Sequence, residues 1–157
     1  MYQLRKFALL IVVLLLVSGR AAVAQSLSVS GTQTISAVNS ATAGSQPNAV
    51  TTVAGSTTYS FQAKGAAKAF WRIRGRLSAA LPTGMSLAVQ LFTSGGIGTS
   101  AGLVTLSTTD QDLVTGIADG KSANGDNVEY RLTATVSAGV RPTTTCTNCV
   151  VFTLITP

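Results

Sequence analysis

Four stretches of this chain alternate apolar and polar residues with a period of two, the pattern of a β-strand with one buried and one solvated face. They are Thr58–Lys64, Ala69–Leu77, Met85–Phe92 and Asn127–Ser137. After position 24, no window of about 11–18 residues repeats apolar residues at helical spacing. The sequence therefore predicts an all-β fold with one face of each stretch in the core: Tyr59, Phe61, Ala63, Trp71, Ile73, Leu77, Met85, Leu87, Val89, Leu91, Val128, Tyr130, Leu132, Ala134 and Val136.

Six weaker strands and several turns complete this pattern. The strands are expected at Leu27–Ser30, Gln33–Val38, Ala49–Val53, Leu103–Ser107, Asp112–Ile117 and Val150–Thr156. Turn-forming residues separate the strands at Gly44–Pro47, Ala54–Ser56, Leu81–Gly84, Gly95–Gly98 and Asn124–Gly125, the last expected to be a hairpin turn. Short strands at this spacing predict an antiparallel Ig-like β-sandwich of about seven to nine strands. We expect Trp71 near the centre of its core rather than on a ligand-binding surface.

The first 24 residues have the three parts of a secretory signal peptide, in order. Arg5 and Lys6 give a positive start, Phe7–Val17 is a run of eleven apolar residues, and Ala22-Val23-Ala24 is a small-residue cleavage site. A helix of eleven residues covers only about half of a ~30 Å hydrocarbon layer, so we expect a leader and not a membrane anchor. The predicted organisation is a signal peptide at 1–24 and a single β-sandwich domain at 25–157. Such a mature chain has no membrane span and is secreted, to the periplasm, the cell surface or the medium.

Composition and charge exclude several classes of function. The chain has no histidine, which removes Ser-His-Asp and Cys-His nucleophile systems and histidine-ligated metals. No G-x-S-x-G, Ser-x-x-Lys or phosphate-loop motif occurs after position 24. The net charge of +6 includes three leader cations, so the mature chain carries 8 − 5 = +3, too little to indicate a nucleic-acid partner. The sequence predicts a protein that is not an enzyme and uses no cofactor.

The two cysteines form a C-x-x-C motif, Cys146-Thr147-Asn148-Cys149. Metal binding would need further Cys or His ligands, which the chain lacks, and a redox centre would need a helix start where the surrounding residues favour strand. We therefore expect a local disulfide between Cys146 and Cys149, formed after export. Because residues i and i+3 of a strand lie about 10 Å apart, too far for a disulfide, residues 146–149 should form a tight turn and the last strand should begin near Cys149.

Arg72, Arg74 and Arg76 alternate along one predicted strand, so their side chains should form a row on its solvated face. Such a row, with Phe70 beside it, could bind a polyanion such as an acidic polysaccharide. The alternative is a solvated face whose arginines discourage edge-to-edge pairing of sheets.

Five acidic residues cluster late in the chain, at Asp110, Asp112, Asp119, Asp126 and Glu129. Their spacing does not match a calcium-binding loop of the EF-hand type, so no metal site is predicted. Asp110 and Asp112 share a strand face but lack any sign of a cleft, which makes a catalytic carboxylate pair a weak hypothesis.

Three segments resemble a group of uncharacterised secreted bacterial proteins with an Ig-like β-sandwich: Ala41–Pro47, Ser107–Ile117 and Tyr130–Val140. The resemblance implies an exported surface or matrix protein and assigns no catalytic residue. We expect a non-enzymatic, secreted or cell-surface protein with a structural or adhesive role, whose partners are surface or matrix components or further copies of itself. The alternatives are a fibre or pilus subunit that assembles by adding the strand at 26–38 to a neighbouring sheet, a polyanion-binding module, and a secreted hydrolase.

Overall fold

A computed structural model describes residues 25–31, 34–35, 45, 47, 49–51, 56–65, 70–136, 146–147 and 149–156 of the 157-residue chain. The predicted leader at 1–24 and most of the predicted turns Gly44–Pro47 and Ala54–Ser56 lie outside these residues. The strands, in chain order, are β1 Ser26–Ser30, β2 Thr34–Ile35, β3 Val50–Thr51, β4 Thr58–Gln62, β5 Phe70–Leu77, β6 Met85–Leu91, β7 Thr99–Ser100, β8 Val104–Thr105, β9 Gln111–Ala118, β10 Ser122–Ala134, β11 Cys146–Thr147 and β12 Val150–Ile155.

Two antiparallel sheets contain most of these strands, and the predicted antiparallel β-sandwich is confirmed. The first sheet has the order β1–β4–β10–β6–β8, with β3 on the side of β10 that faces away from β6. The second has the order β12–β5–β9–β7, and β2 pairs with β11 separately. No helix in the described segments is long and apolar enough to span a membrane.

From β4 to β10 the chain changes sheet at every connection. The even-numbered strands β4, β6, β8 and β10 lie in the first sheet, whereas β5, β7 and β9 lie in the second. Consequently no two strands that are consecutive in sequence are paired in the described part of the chain. The connections therefore cross repeatedly from one sheet of the sandwich to the other. The predicted turns at Leu81–Gly84 and Gly95–Gly98 are present, but both connect strands of different sheets.

The core lies between the sheets and contains the predicted inward faces. Tyr59, Phe61, Ile73, Leu87, Leu91 and their inward neighbours on the same strands are buried. Trp71 is 4% exposed and its Nε1 donates a hydrogen bond to Asp119 Oδ1 at 3.1 Å, so the expectation that it belongs to the core is confirmed. Val136 was expected inside and is 57% exposed, because β10 ends at Ala134 before the alternation does.

The prediction of a hairpin turn at Asn124–Gly125 is wrong. Both residues lie inside β10, where together they oppose the single residue Ser60 of β4 and form a β-bulge. The Ser60 hydroxyl donates to Asn124 Oδ1 at 3.0 Å and accepts from the Gly125 amide at 3.0 Å. Gly125 has a φ of +77°, and because such a bulge needs the same left-handed backbone as a tight hairpin turn, Asn-Gly suits both.

A second irregularity lies in β9, where Leu113 and Val114 are consecutive and both buried. The register with β5 shifts on either side of Ile73, which places an extra residue of β9 over the core. Gly75, opposite this bulge, supplies the space. A Cβ atom at position 75 would lie 2.6 Å from Leu113 Cδ1, so the absence of a side chain there permits Leu113 to pack.

We predict that Gly75→Ala lowers the free energy of unfolding by about 1–3 kcal/mol, because it overpacks the site that Leu113 fills. Leu113→Ala alone should cost about 2–5 kcal/mol. The double variant should lose less stability than the sum of the two single losses, by about 1 kcal/mol or more. The reason is that the alanine at position 113 no longer clashes with the alanine at position 75. Urea unfolding of the four proteins measures this coupling, and strictly additive losses would contradict it.

Two buried tyrosines should make the free energy of unfolding depend on pH in the alkaline range. Burial raises the pKa of Tyr59 and of Tyr130 well above the ordinary value, and for Tyr59 the nearby Asp126 carboxylate adds to the rise. The Tyr59 hydroxyl also donates a hydrogen bond to the Phe92 carbonyl at 2.7 Å. In the unfolded chain both phenols titrate near pH ~10, so unfolding releases their protons above that pH.

We therefore predict that the two tyrosines leave the free energy of unfolding unchanged below pH ~10. Above that pH, each tyrosine should lower the free energy of unfolding by about 1.4 kcal/mol per pH unit. Urea unfolding between about pH 9 and 11, alongside ultraviolet titration of the phenols, measures the slope. Tyr130→Phe should remove about half of it. A slope that this substitution leaves unchanged would assign the effect to other groups.

Candidate functional site

The predicted arginine row is present on the outer face of the second sheet. Arg72, Arg74 and Arg76 lie on β5 and point away from the buried residues that alternate with them. Two carboxylates from the start of β9 and the loop before it lie beside the row. Asp112 contacts Arg72 Nη1 at 3.2 Å and Arg74 Nε at 2.7 Å, and Asp110 lies 3.6 Å from Arg76 Nε.

These contacts change the interpretation of the row. Three guanidinium groups face two carboxylates, which leaves one uncompensated positive charge rather than three. Because β5 is paired with β12 on one side and β9 on the other, the alternative that its arginines protect a sheet edge is wrong. Asp110 and Asp112 each contact an arginine of this row, so both carboxylates are already engaged in ion pairs.

The outer face of the first sheet is built differently, from small hydroxyl and amide side chains. We call it the hydroxyl face, and its members on the described strands include Ser26, Ser28, Ser30, Thr58, Ser60, Ser86, Thr105 and Thr133. Several of these side chains pair across strands. The hydroxyl oxygens of Ser30 and Thr58 lie 2.5 Å apart, and those of Ser86 and Thr133 lie 2.6 Å apart. The face therefore presents hydrogen-bonding groups with little charge.

One end of the hydroxyl face carries an aromatic side chain among longer polar ones. Phe92 follows β6 and is 40% exposed, and its amide donates to the Asn127 carbonyl of β10 at 3.0 Å. Gln90 and Glu129 are cross-strand partners next to this pair, and Arg131 Nη2 donates to Glu129 Oε1 at 3.1 Å. We call Phe92, Asn127, Gln90, Glu129 and Arg131 the polar–aromatic cluster. It contains one carboxylate and one guanidinium, and the Asp126 carboxylate lies next to it, where it accepts a hydrogen bond from the Ser94 amide.

A hydrogen bond from a core side chain fixes the backbone at Phe92. Its carbonyl accepts the hydrogen bond from the buried Tyr59 hydroxyl, which fixes the end of β6 at the point where the phenyl ring leaves the sheet. An apolar ring beside amide and carboxylate groups can pack against an apolar surface of a ligand while the polar groups bind its hydroxyls. This combination suits an uncharged, hydroxyl-rich polymer.

The sequence pattern does not predict this cluster. The only signal was Phe92 itself, an aromatic residue on the polar side of the alternation in Met85–Phe92. Its neighbours in the sheet come from β10, which is more than thirty residues further along the chain. That proximity depends on strand pairing, which the alternation alone does not reveal.

The remaining predicted site is the cysteine pair. The last strand begins at Val150, directly after Cys149, as expected. Cys149 is partly buried against the core and carries no free thiol. The backbone of Cys146 pairs with Ile35, but its side chain lies outside the described residues, so the disulfide between the two cysteines stays a prediction.

A shallow cleft of about 240 Å³ opens at one end of the sandwich. Leu77, Leu81, Met85 and Leu106 form its apolar part, and Ser86, Ser107 and Thr108 add hydroxyls. No charged side chain lines it. In the described ranges, no group of three or more His, Cys, Asp or Glu residues is placed to hold a metal ion.

Comparison with family models, with curated proteins and with solved structures finds no match to this chain. The resemblance to secreted bacterial sandwich proteins therefore stays a prediction, and the two outer faces of the sandwich are the features that bear on its function.

We predict that Asp112→Asn strengthens retention on a heparin column, because it frees Arg72 and Arg74 from their shared partner. The stability cost should stay below about 1 kcal/mol, since these ion pairs are partly exposed. Asp126→Asn is the matched control, because it removes the same charge at a carboxylate that instead accepts a hydrogen bond from the Ser94 amide. Equal shifts in elution for the two variants would show that net charge alone is responsible.

Proposed function

We propose that this protein is a non-enzymatic β-sandwich, exported to the cell surface or beyond, with an adhesive role in which the polar–aromatic cluster contacts uncharged, hydroxyl-rich polymers. The observation that carries the proposal is the exposed Phe92 ring at the end of the hydroxyl face, where Tyr59 fixes the Phe92 backbone and the cross-strand pair of Gln90 and Glu129 follows along the same face. Aromatic packing combined with directed hydrogen bonds is how proteins bind neutral polar ligands.

Export fits the N-terminal sequence and the cysteines. Residues 1–24 have the pattern of a leader, and a disulfide between Cys146 and Cys149 would form only in an oxidising compartment outside the cytoplasm.

The polyanion-binding alternative receives less support. Its arginine row is largely compensated by Asp110 and Asp112, so it offers an acidic polymer one net positive charge. Assembly of a fibre through the N-terminal strand is also less favoured. β1 is paired with β4 over all five of its residues, and Leu27 and Val29 pack against the core, so donation to another subunit would first break these contacts.

We predict that the exported protein binds insoluble neutral polysaccharides, such as β-glucan or chitin particles, with little dependence on salt. Phe92→Ala should weaken this binding about fivefold, because one aromatic contact contributes about 1 kcal/mol. Phe70→Ala is the matched control, since Phe70 is 61% exposed on the outer face of the other sheet. Sedimentation of the particles with bound protein at low and high NaCl measures both effects.

Three outcomes would count against the proposal. They are no binding to any neutral polysaccharide, equal weakening by the two phenylalanine substitutions, and binding that salt abolishes. Binding that salt abolishes would instead indicate that the arginine row binds an acidic polymer.

A further inference from the structure

The Asn124–Gly125 pair in the β10 bulge is the one Asn-Gly step of the sequence. Asparagine is thermolabile in proteins, because the backbone nitrogen of the following residue can attack its side-chain amide carbon. Glycine in the following position favours this attack, since it has no Cβ atom to obstruct the approach. Both residues are exposed, so water can reach them. The pair therefore contains the reacting groups of a deamidation, and the fold determines how these groups are held.

One hydroxyl group bridges the two reacting groups. The Gly125 amide, which supplies the attacking nitrogen, donates a hydrogen bond to Ser60 Oγ at 3.0 Å. The same Ser60 hydroxyl donates to Oδ1 of the Asn124 amide that is attacked, also at 3.0 Å. Because a hydroxyl is both donor and acceptor, Ser60 can take a proton from the nitrogen while it gives one to the oxygen. The first transfer makes the nitrogen more nucleophilic, and the second neutralises the charge that develops on Oδ1.

A second exposed asparagine of β10, Asn127, is held differently. It is followed by Val128, whose branched side chain obstructs the approach of the backbone nitrogen. The Val128 amide donates to the Thr57 carbonyl at 3.0 Å. A carbonyl accepts hydrogen bonds but has no proton to give, so it does not relay a proton to the asparagine side chain. Asn127 is therefore an internal reference for the same reaction.

We propose that Asn124 is a deamidation site at which Ser60 relays the proton. The Gly125 nitrogen forms a bond to Asn124 Cγ, its proton passes to Ser60 Oγ, and the Ser60 hydroxyl proton passes to Oδ1. The Cγ–Nδ2 bond then breaks, and Nδ2 leaves as ammonia with the proton from Oδ1, which gives a cyclic succinimide. Water opens this ring at either carbonyl and produces aspartate or isoaspartate. In total, one water is consumed and one ammonia is released.

The reaction changes the charge and the course of β10. Either product places a carboxylate at position 124, close in sequence to the Asp126 carboxylate. Isoaspartate also directs the main chain through its side chain, which lengthens the bulge by one carbon atom. The bulge separates the two parts of β10 that pair with β4, at Ala123 and at Asp126, so isoaspartate should weaken this pairing. This inference concerns the covalent chemistry of the chain and does not depend on the proposed function.

The first test needs no substitution. The full-length protein is incubated at mildly alkaline pH, once folded and once unfolded in urea, and mass spectrometry of its peptides follows deamidation at Asn124 and Asn127. We expect Asn124 to react at least as fast in the folded protein as in the unfolded chain, where Ser60 is not held beside it, and Asn127 to react more slowly. Slower reaction of Asn124 in the folded protein than in urea would overturn the proposal, since the bulge would then hold the reacting groups apart.

The second test removes the hydroxyl. Ser60→Ala should slow the deamidation of Asn124 about tenfold, less than a positioned acid or base usually contributes, because a serine hydroxyl titrates far above neutral pH. Ser60→Thr keeps a hydroxyl and should retain the rate. Ser86→Ala is the matched control and should leave the rate unchanged, because Ser86 lies on the same hydroxyl face but pairs with Thr133. An unchanged or faster rate in Ser60→Ala, or equal slowing in both alanine variants, would overturn the proposal, and circular dichroism checks that each variant is folded.

Discussion

Burial of the two inward faces against each other is the interaction on which the rest of this structure depends. From β4 to β10, strands that follow one another in the described chain lie in opposite sheets, so none of these strands pairs with its neighbour in sequence. Strand pairs such as β5 with β12 join residues more than seventy positions apart. Each large apolar side chain that becomes buried contributes about 1.5–3 kcal/mol, and these contributions have to offset the closure of long loops before any ladder is complete. Proteins with such non-local pairing fold slowly, because the entropy is lost before the contacts form.

The alternation of apolar residues was sufficient to predict where strands lie and which side of each faces the core. It failed where the backbone departs from a period of two. Leu113 and Val114 are both buried because β9 carries a bulge, and Val136 is exposed because β10 has already ended. The Asn124–Gly125 pair has the chemistry of a turn but serves as a bulge inside β10, since Ser60 binds both residues. In each case a partner strand decides the outcome, and a single sequence does not identify that partner.

Because a single sequence does not identify partner strands, the sequence predicts which side chains lie on the surface but not which of them contact each other. The spacing of Arg72, Arg74 and Arg76 correctly placed three cations on one face of β5. Their compensation by Asp110 and Asp112 follows from the register between β5 and β9, which joins residues nearly forty positions apart. Phe92 and Asn127 are brought together by the pairing of β6 with β10 in the same way. Composition indicates that charged groups are few, and only the register shows which of them remain uncompensated.

The polar–aromatic cluster belongs to the outer face of the first sheet, and its composition has a consequence for adhesion. A single aromatic contact supported by a few hydrogen bonds binds weakly. When several such sites on one surface can reach the same polymer, each further binding step takes place at a high effective concentration, so the overall affinity rises without any new type of contact. Weak sites displayed in many copies would then be sufficient to attach the protein to a repetitive polymer.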